Sequence, residues 1–171
     1  MKTIFIGQTD STPLGNLWVA QSQNGLIAVV FPSSLAEFTA IQQKRHGAAV
    51  EFAPEKVKDS ISQLQEYAIG TRKTFDLPID WLIMNEFQRK ALYATYQIPY
   101  GETRTYKQIA IEIGAPRGAR AVGRAEATNP MPIVLPCHRV IGSDGKLHGY
   151  GAGDGLNTKT WLLNLERALL P

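Results

Sequence analysis

The chain changes its periodicity once, and that change limits the folds open to it. Up to Leu77, short apolar runs alternate with turn residues; beyond Pro78-Ile79-Asp80 the apolar spacing is mostly helical. In the first stretch, residues 3–7, 17–20 and 26–31 are strand candidates. Asn24-Gly25 lies between the last two, and both residues accept the positive φ that a tight hairpin turn requires. Residues 33–45 read as a helix capped by Ser33 or Ser34, residues 55–69 as a second helix through Val57, Ile61, Leu64 and Ala68, and residues 74–77 as a returning strand. Two domains follow from this reading: an α/β domain over residues 1–77 and a mostly α domain over residues 78–171.

In the second domain, residues 87–96, 102–114, 116–127 and 158–170 are expected helices. An extended stretch at 129–136 and a glycine-rich loop at 149–155 separate them. Thr105 and Gln108 have the spacing of a capping box, Gly114 suits a left-handed helix end, and Pro116 suits the first turn of the next helix. Two helices with so short a joint make a helix-turn-helix candidate. Arg117, Arg120 and Arg124 fall on one face of the second helix, with Ala119, Ala121, Gly123 and Ala125 interleaved. Small residues and arginines suit phosphate contact or minor-groove insertion more than base reading, which uses amide side chains as well. A solvated arginine face explains the same charges, and charge alone leaves the two readings level.

The 171 residues are enough for a real core, and the net charge of +3 is too small to prove a nucleic-acid partner. No apolar run approaches the ~20 residues that span a bilayer, and the first residues lack the pattern of a signal peptide. The chain is therefore expected to be cytoplasmic and independent of membranes. Its single cysteine, Cys137, cannot form an internal disulfide, which fits a reducing compartment. Cys137 is followed by His138 and Arg139, whose positive charge would lower a thiol pKa, and Pro130, Pro132 and Pro136 restrict the backbone before it. Flanked by Ile133, Val134 and Leu135, a lone cysteine is more often an inert core residue. His46 stands alone and reads as a solvated histidine.

Further residues sharpen this picture. Ile98-Pro99-Tyr100-Gly101-Glu102-Thr103, then Arg120-Ala121-Val122-Gly123, Asn129-Pro130 and Pro136-Cys137-His138-Arg139-Val140 occur in one order and spacing. Phe87-Gln88 precedes them, and Trp161-Leu162-Leu163 and Glu166 follow. This series resembles the O6-alkylguanine-DNA alkyltransferases, strongly from Leu77 onward and more loosely before it. The resemblance implies a ribonuclease H-like N-terminal domain and a C-terminal domain holding a helix-turn-helix and the active site.

It also implies roles. Cys137 would accept the alkyl group irreversibly, His138 would act as base through a water, Glu166 would orient it, and Asn129 would stabilise the turn. Arg120 would enter the duplex and replace the flipped nucleotide, and Tyr106 would crowd the neighbouring phosphate. Arg117, Ala121, Gly123 and Arg124 would complete the DNA-binding face. Tyr106, Pro132, Val140, Tyr150 and Gly151 would line the pocket, with the Cys137 and Val140 carbonyls accepting from the purine. The implied partner is double-stranded DNA containing O6-alkylguanine. No cofactor is implied, because the DNA supplies the alkyl group, and no metal is expected. A monomer of prokaryotic type is expected, with cooperativity on DNA left open.

The sequence departs from the family pattern in places. The loop 151–155 is about two residues longer than usual, Asp154 adds a negative charge, and His148 has no assigned role. Asn85-Glu86 and Leu92-Tyr93 also differ. A non-catalytic lesion-binding relative would lack Cys137, a transcription factor would carry base-reading amides on the second helix, and a cysteine hydrolase would not need the arginines.

Overall fold

The computed structural model describes residues 3–167, and these divide into two compact units between Ile83 and Met84. In the first unit, β1 (Thr3–Gln8), β2 (Trp18–Ser22) and β3 (Gly25–Val30) form an antiparallel meander. The expected hairpin forms, but its two turn residues are Gln23 and Asn24: Ser22 pairs with Gly25, and of the Asn24-Gly25 pair only Gly25 has a positive φ, +133°. Helix α1 (Leu35–His46) starts at Ser34, whose side chain accepts from the Glu37 amide while Glu37 reaches back, a full capping box. It leads to β4 (Ala49–Phe52), which joins β1 in parallel and gives the sheet order β3-β2-β1-β4. Helix α2 (Lys58–Ala68) follows a short 3-10 turn at Pro54–Lys56, so the expected helix of residues 55–69 has an irregular start. Ile4, Ile6, Trp18, Ala20, Ile27, Ala28 and Phe38 pack as the core between α1 and the sheet.

Three expectations fail in this unit. Residues 74–77 are no strand: the Gln63 side chain clamps Asp76, accepting from its amide at 2.8 Å and donating to its carbonyl at 3.1 Å, so the segment has no ladder partner. The fourth strand is β4 instead, an edge strand whose exposed Ala49, Glu51 and Phe52 break apolar alternation. The link expected at Pro78-Ile79-Asp80 belongs to the first unit. Leu26 donates to the Pro78 carbonyl and accepts from the Asp80 amide, which makes a single bridge at Ile79. His46 is half-buried, and its Nε2 is enclosed without a hydrogen-bond partner among the described residues. It borders a polar cavity of about 370 Å³ with Ser22, Asn24, Arg45 and Asp80.

The second unit is mostly helical: α3 (Glu86–Tyr96), α4 (Tyr106–Glu112), α5 (Ala119–Ala127) and α6 (Leu156–Leu165). Two short parallel strands, β5 (Arg104–Thr105) and β6 (Val140–Ile141), tie the start of α4 to the segment after Cys137. One core cluster is Ala91, Ala94, Ile109, Ala110, Val122, Ala125 and Val140, contributed by α3, α4, α5 and β6, with Ile98 just past the end of α3. Helix α4 is shorter than the expected 102–114 because β5 occupies its start; Thr105 ends the strand and caps the helix through the predicted box with Gln108. Gly114 has φ +76° and ends the helical stretch. Pro116 and Arg117 lie in the joint, not in α5, since Gly118 turns back onto the Ala115 carbonyl at 2.7 Å before the helix begins. Helix α6 begins at Leu156, earlier than expected; residues 168–170 of the expected helix lie outside the described residues. Among the described residues no helix is long and apolar enough to cross a membrane.

Candidate active site

The thiol is presented by a turn that Asn129 organises. Its Oδ1 accepts from the Met131 amide at 2.9 Å, an Asx turn. Its Nδ2 donates to the Leu135 carbonyl at 2.8 Å and to Cys137 Sγ at 3.1 Å. Inside that turn Ile133 has φ +78°, a costly conformation for a β-branched residue. The Leu135 amide closes it onto the Met131 carbonyl at 2.8 Å. Cys137 opens a 3-10 turn that runs to Arg139, and it is only 5% exposed.

The electrostatics of the thiol differ from the expectation. Burial, and then the carboxyl of Glu126, push Cys137 up to about 12; Asn129 and Lys159 pull it down. His138 and Arg139 give it no such help, because both are committed to Glu166. Burial thus favours the protonated thiol in the free protein.

Glu166, which caps the end of α6, gathers the residues after the cysteine. Its Oε1 lies 2.9 Å from His138 Nε2 and accepts from Arg139 Nη2 at 2.8 Å. Its Oε2 accepts from Arg139 Nε at 2.9 Å and from the Gly101 amide at 3.1 Å, while Arg139 Nη1 donates to the Ile98 carbonyl. Burial opposes the carboxylate, but the hydrogen bonds from His138 and Arg139 prevail and hold Glu166 well below the usual carboxylate range. Burial lowers the pKa of His138, which favours the neutral imidazole.

The same unit holds a cavity of about 640 Å³, within the range of small-molecule sites. Tyr106, Lys107 and Arg120 form part of its wall, and His148, Tyr150 and Gly151 come from the long loop. Pro132, Val140 and Cys137 do not line it; Pro132 and Val140 are buried, and the Val140 carbonyl accepts from Lys159 Nζ at 2.7 Å. Gly151 comes so close to the end of α5 that a Cβ there would lie 2.6 Å from the Ala127 carbonyl oxygen. A Cβ on Gly123 would touch the Tyr106 ring at 3.8 Å. Arg120, Ala121 and Arg124 are exposed on α5, and Arg117 is exposed in the joint, so the predicted stripe is split between helix and turn. Asp154 is not on the cavity wall; it braces the start of α6, accepting from Asn157 Nδ2 at 2.7 Å.

The order of motifs and this geometry have a counterpart in known proteins. A model of the 6-O-methylguanine DNA methyltransferase DNA-binding domain matches residues 86–168, and that family's ribonuclease-like domain matches residues 6–81. This chain belongs to that family. A methylated-DNA–protein-cysteine methyltransferase of Bacillus subtilis is 40% identical over 93% of this chain and 93% of its own length. One from Methanosarcina barkeri is 41% identical over 91% of this chain and 92% of its own. The crystal structure of Mycobacterium tuberculosis OGT in complex with DNA superposes with a TM-score of 0.76 at 35% identity, over 96% of this chain and 92% of that one. As a 6-O-methylguanine DNA methyltransferase family member, the chain has a ribonuclease-like N-terminal domain and a DNA-binding C-terminal domain.

Within this family member, two buried groups escaped the sequence reading. Lys159 is 0% exposed; its ammonium donates to the Val140 and His148 carbonyls and lies 5.8 Å from the Tyr106 ring centroid. Burial lowers its pKa to about 8. Glu126 is buried on α5; its Oε1 accepts from Thr95 Oγ1 at 2.7 Å, and burial pushes it up to about 8. Tyr106, raised to about 12 by burial and then by Glu126 and Cys137, donates to the His148 carbonyl at 3.2 Å. In sequence Lys159 and Glu126 look like ordinary helix-surface charges; only their positions three and four residues from buried Leu162, Leu163 and Val122 hint otherwise. Among the described residues no three His, Cys, Asp or Glu side chains cluster as a metal site.

Proposed function

We propose that this chain repairs DNA by moving the alkyl group of O6-alkylguanine onto Cys137, once per molecule. The observation that carries the proposal is the held thiol: the family's cysteine, cradled by Asn129 and close enough to Tyr106 to raise its pKa, where Tyr106 and Arg120 of the helix-turn-helix share the wall of a cavity. In the reaction the sulfur attacks the alkyl carbon, an S–C bond forms, and the C–O bond to the purine breaks. The thiol proton leaves through His138, by way of a water, and guanine is restored with a proton taken up from the site. Neutral His138 suits that task, with Glu166 and Arg139 holding its ring. A thioether is a poor leaving group, so the protein is consumed.

O6 lies at a base-pair edge, so the nucleotide must leave the stack to meet a buried thiol. Arg120 fills the gap in double-stranded DNA, Tyr106 crowds the adjacent phosphate, and Ala121, Gly123, Arg117 and Arg124 let the backbone approach or contact phosphates. Tyr150, Gly151 and Tyr106 receive the purine. The DNA supplies the alkyl group, so no cofactor takes part. The protein acts as a cytoplasmic monomer.

The test is direct. The protein is mixed with an oligonucleotide containing O6-methylguanine, and the mass of the Cys137 peptide is measured. One added methyl group per molecule and no second turnover are expected; an unmodified Cys137 beside intact lesion would overturn the proposal. Cys137→Ser should bind the lesion yet leave it unrepaired.

A further inference from the structure

The long loop between β6 and α6 is fastened at one residue that the family pattern left without a role. The His148 carbonyl accepts from Tyr106 Oη and from Lys159 Nζ, both at 3.2 Å, so it joins α4 and α6 to the loop. Its imidazole is fastened separately. Nε2 lies 2.9 Å from Asp144 Oδ1, and the ring covers Gly142 so closely that a Cβ there would sit 2.4 Å from Cδ2. Asp144 is itself fixed by the Lys146 amide, and the Gly142 amide donates to the Lys146 carbonyl at 3.0 Å. Further along, Gly151 abuts Ala127 with no room for a side chain. The cavity wall on the loop side is thus held at His148 and again at Gly151, opposite Lys107, Ala119 and Arg120.

We propose that the Asp144–His148 clasp over Gly142 is a specificity-determining device: it fixes the rim through which the alkylated base enters and so limits the bulk of the alkyl group. The proposal rests on Cys137 being the alkyl acceptor. A loop pinned on both sides cannot swing away to admit a ring-sized substituent, whereas a methyl group needs no such movement. Releasing the imidazole loosens the rim between its two remaining fixed points, the His148 carbonyl held by Tyr106 and Lys159 and Gly151 against Ala127.

The test is a ratio. Rates of alkyl transfer are measured with the full chain on two oligonucleotides of the same sequence, one with O6-benzylguanine and one with O6-methylguanine. In His148→Ala and Asp144→Ala the benzyl-to-methyl ratio should rise about three- to fivefold, the scale of losing one exposed polar side-chain pair. Asp144→Asn, which can still hydrogen-bond the ring, should restore a ratio near that of the parent. A general loss of stability would lower both rates and leave the ratio alone. An unchanged ratio in both alanine variants overturns the clasp; failure of Cys137 to take an alkyl group from either oligonucleotide overturns the transfer reading instead.

Discussion

Asn129 satisfies three groups at once: the Met131 amide, the Leu135 carbonyl and the thiol. Its replacement by alanine strands the first two in a partly buried turn that also holds Ile133 in the left-handed region. Asn129→Ala should cost about 1–3 kcal/mol in urea unfolding, and alkyl transfer should slow as the thiol loses its donor. Glu126 makes a prediction of opposite sign. Its carboxyl is raised from 4.5 to about 8, chiefly by burial. The folded state thus holds a proton that the unfolded chain releases, and this contribution to stability is complete below pH 4.5 and lost as pH rises through 8. Glu126→Gln, which can still accept from Thr95, should gain stability over the parent across that interval, in unfolding curves measured from pH 4.5 to 8. At this scale the sequence named Cys137, His138, Asn129 and Glu166 only through their order. It misjudged the source of thiol control, because the partner of Arg139 is a carboxylate that lies far along the chain.

The helix-turn-helix shows how local chemistry sets an element and tertiary contacts trim it. The Thr105 box was legible because capping depends on residues three apart, and it appears as predicted. The start of α4 was not, since β5 pairs with β6, well over a helix length away in sequence. Thr105→Ala removes the cap where strand passes into helix and where Tyr106 begins. It should lower stability by about 1 kcal/mol in thermal unfolding, and should disturb Tyr106 enough to slow transfer from duplex DNA. The joint carries the same lesson. Pro116 is compatible with a helix start, but the Gly118 turn onto Ala115 displaces it and takes Arg117 off the helix. In the first unit, β4 was invisible because an exposed edge strand need not alternate, and residues 74–77 looked like a strand although a glutamine side chain had claimed their backbone.

At the scale of the whole molecule, a net charge of +3 is modest for a DNA-binding protein, so the arrangement of charge must carry the binding. Arg117, Arg120 and Arg124 form no ion pairs among the described residues, which leaves them available to phosphates. Affinity for duplex DNA should fall steadily with salt and depend little on sequence, as titrations from about 50 to 200 mM salt would register. Arg120→Ala should slow transfer from duplex DNA far more than transfer from the free alkylguanine base; equal slowing would remove the extrusion role.

By itself the sequence determined the two-part plan, the hairpin, the capped helices and the candidate thiol, because turns, caps and periodicity act over a few residues. Tertiary structure decided the rest. It paired Arg139 and His138 with Glu166, sank Lys159 and Glu126 beside the thiol, and folded the imidazole of His148 over Gly142. Charge is felt through space and through burial, and neither distance nor desolvation can be read along a chain.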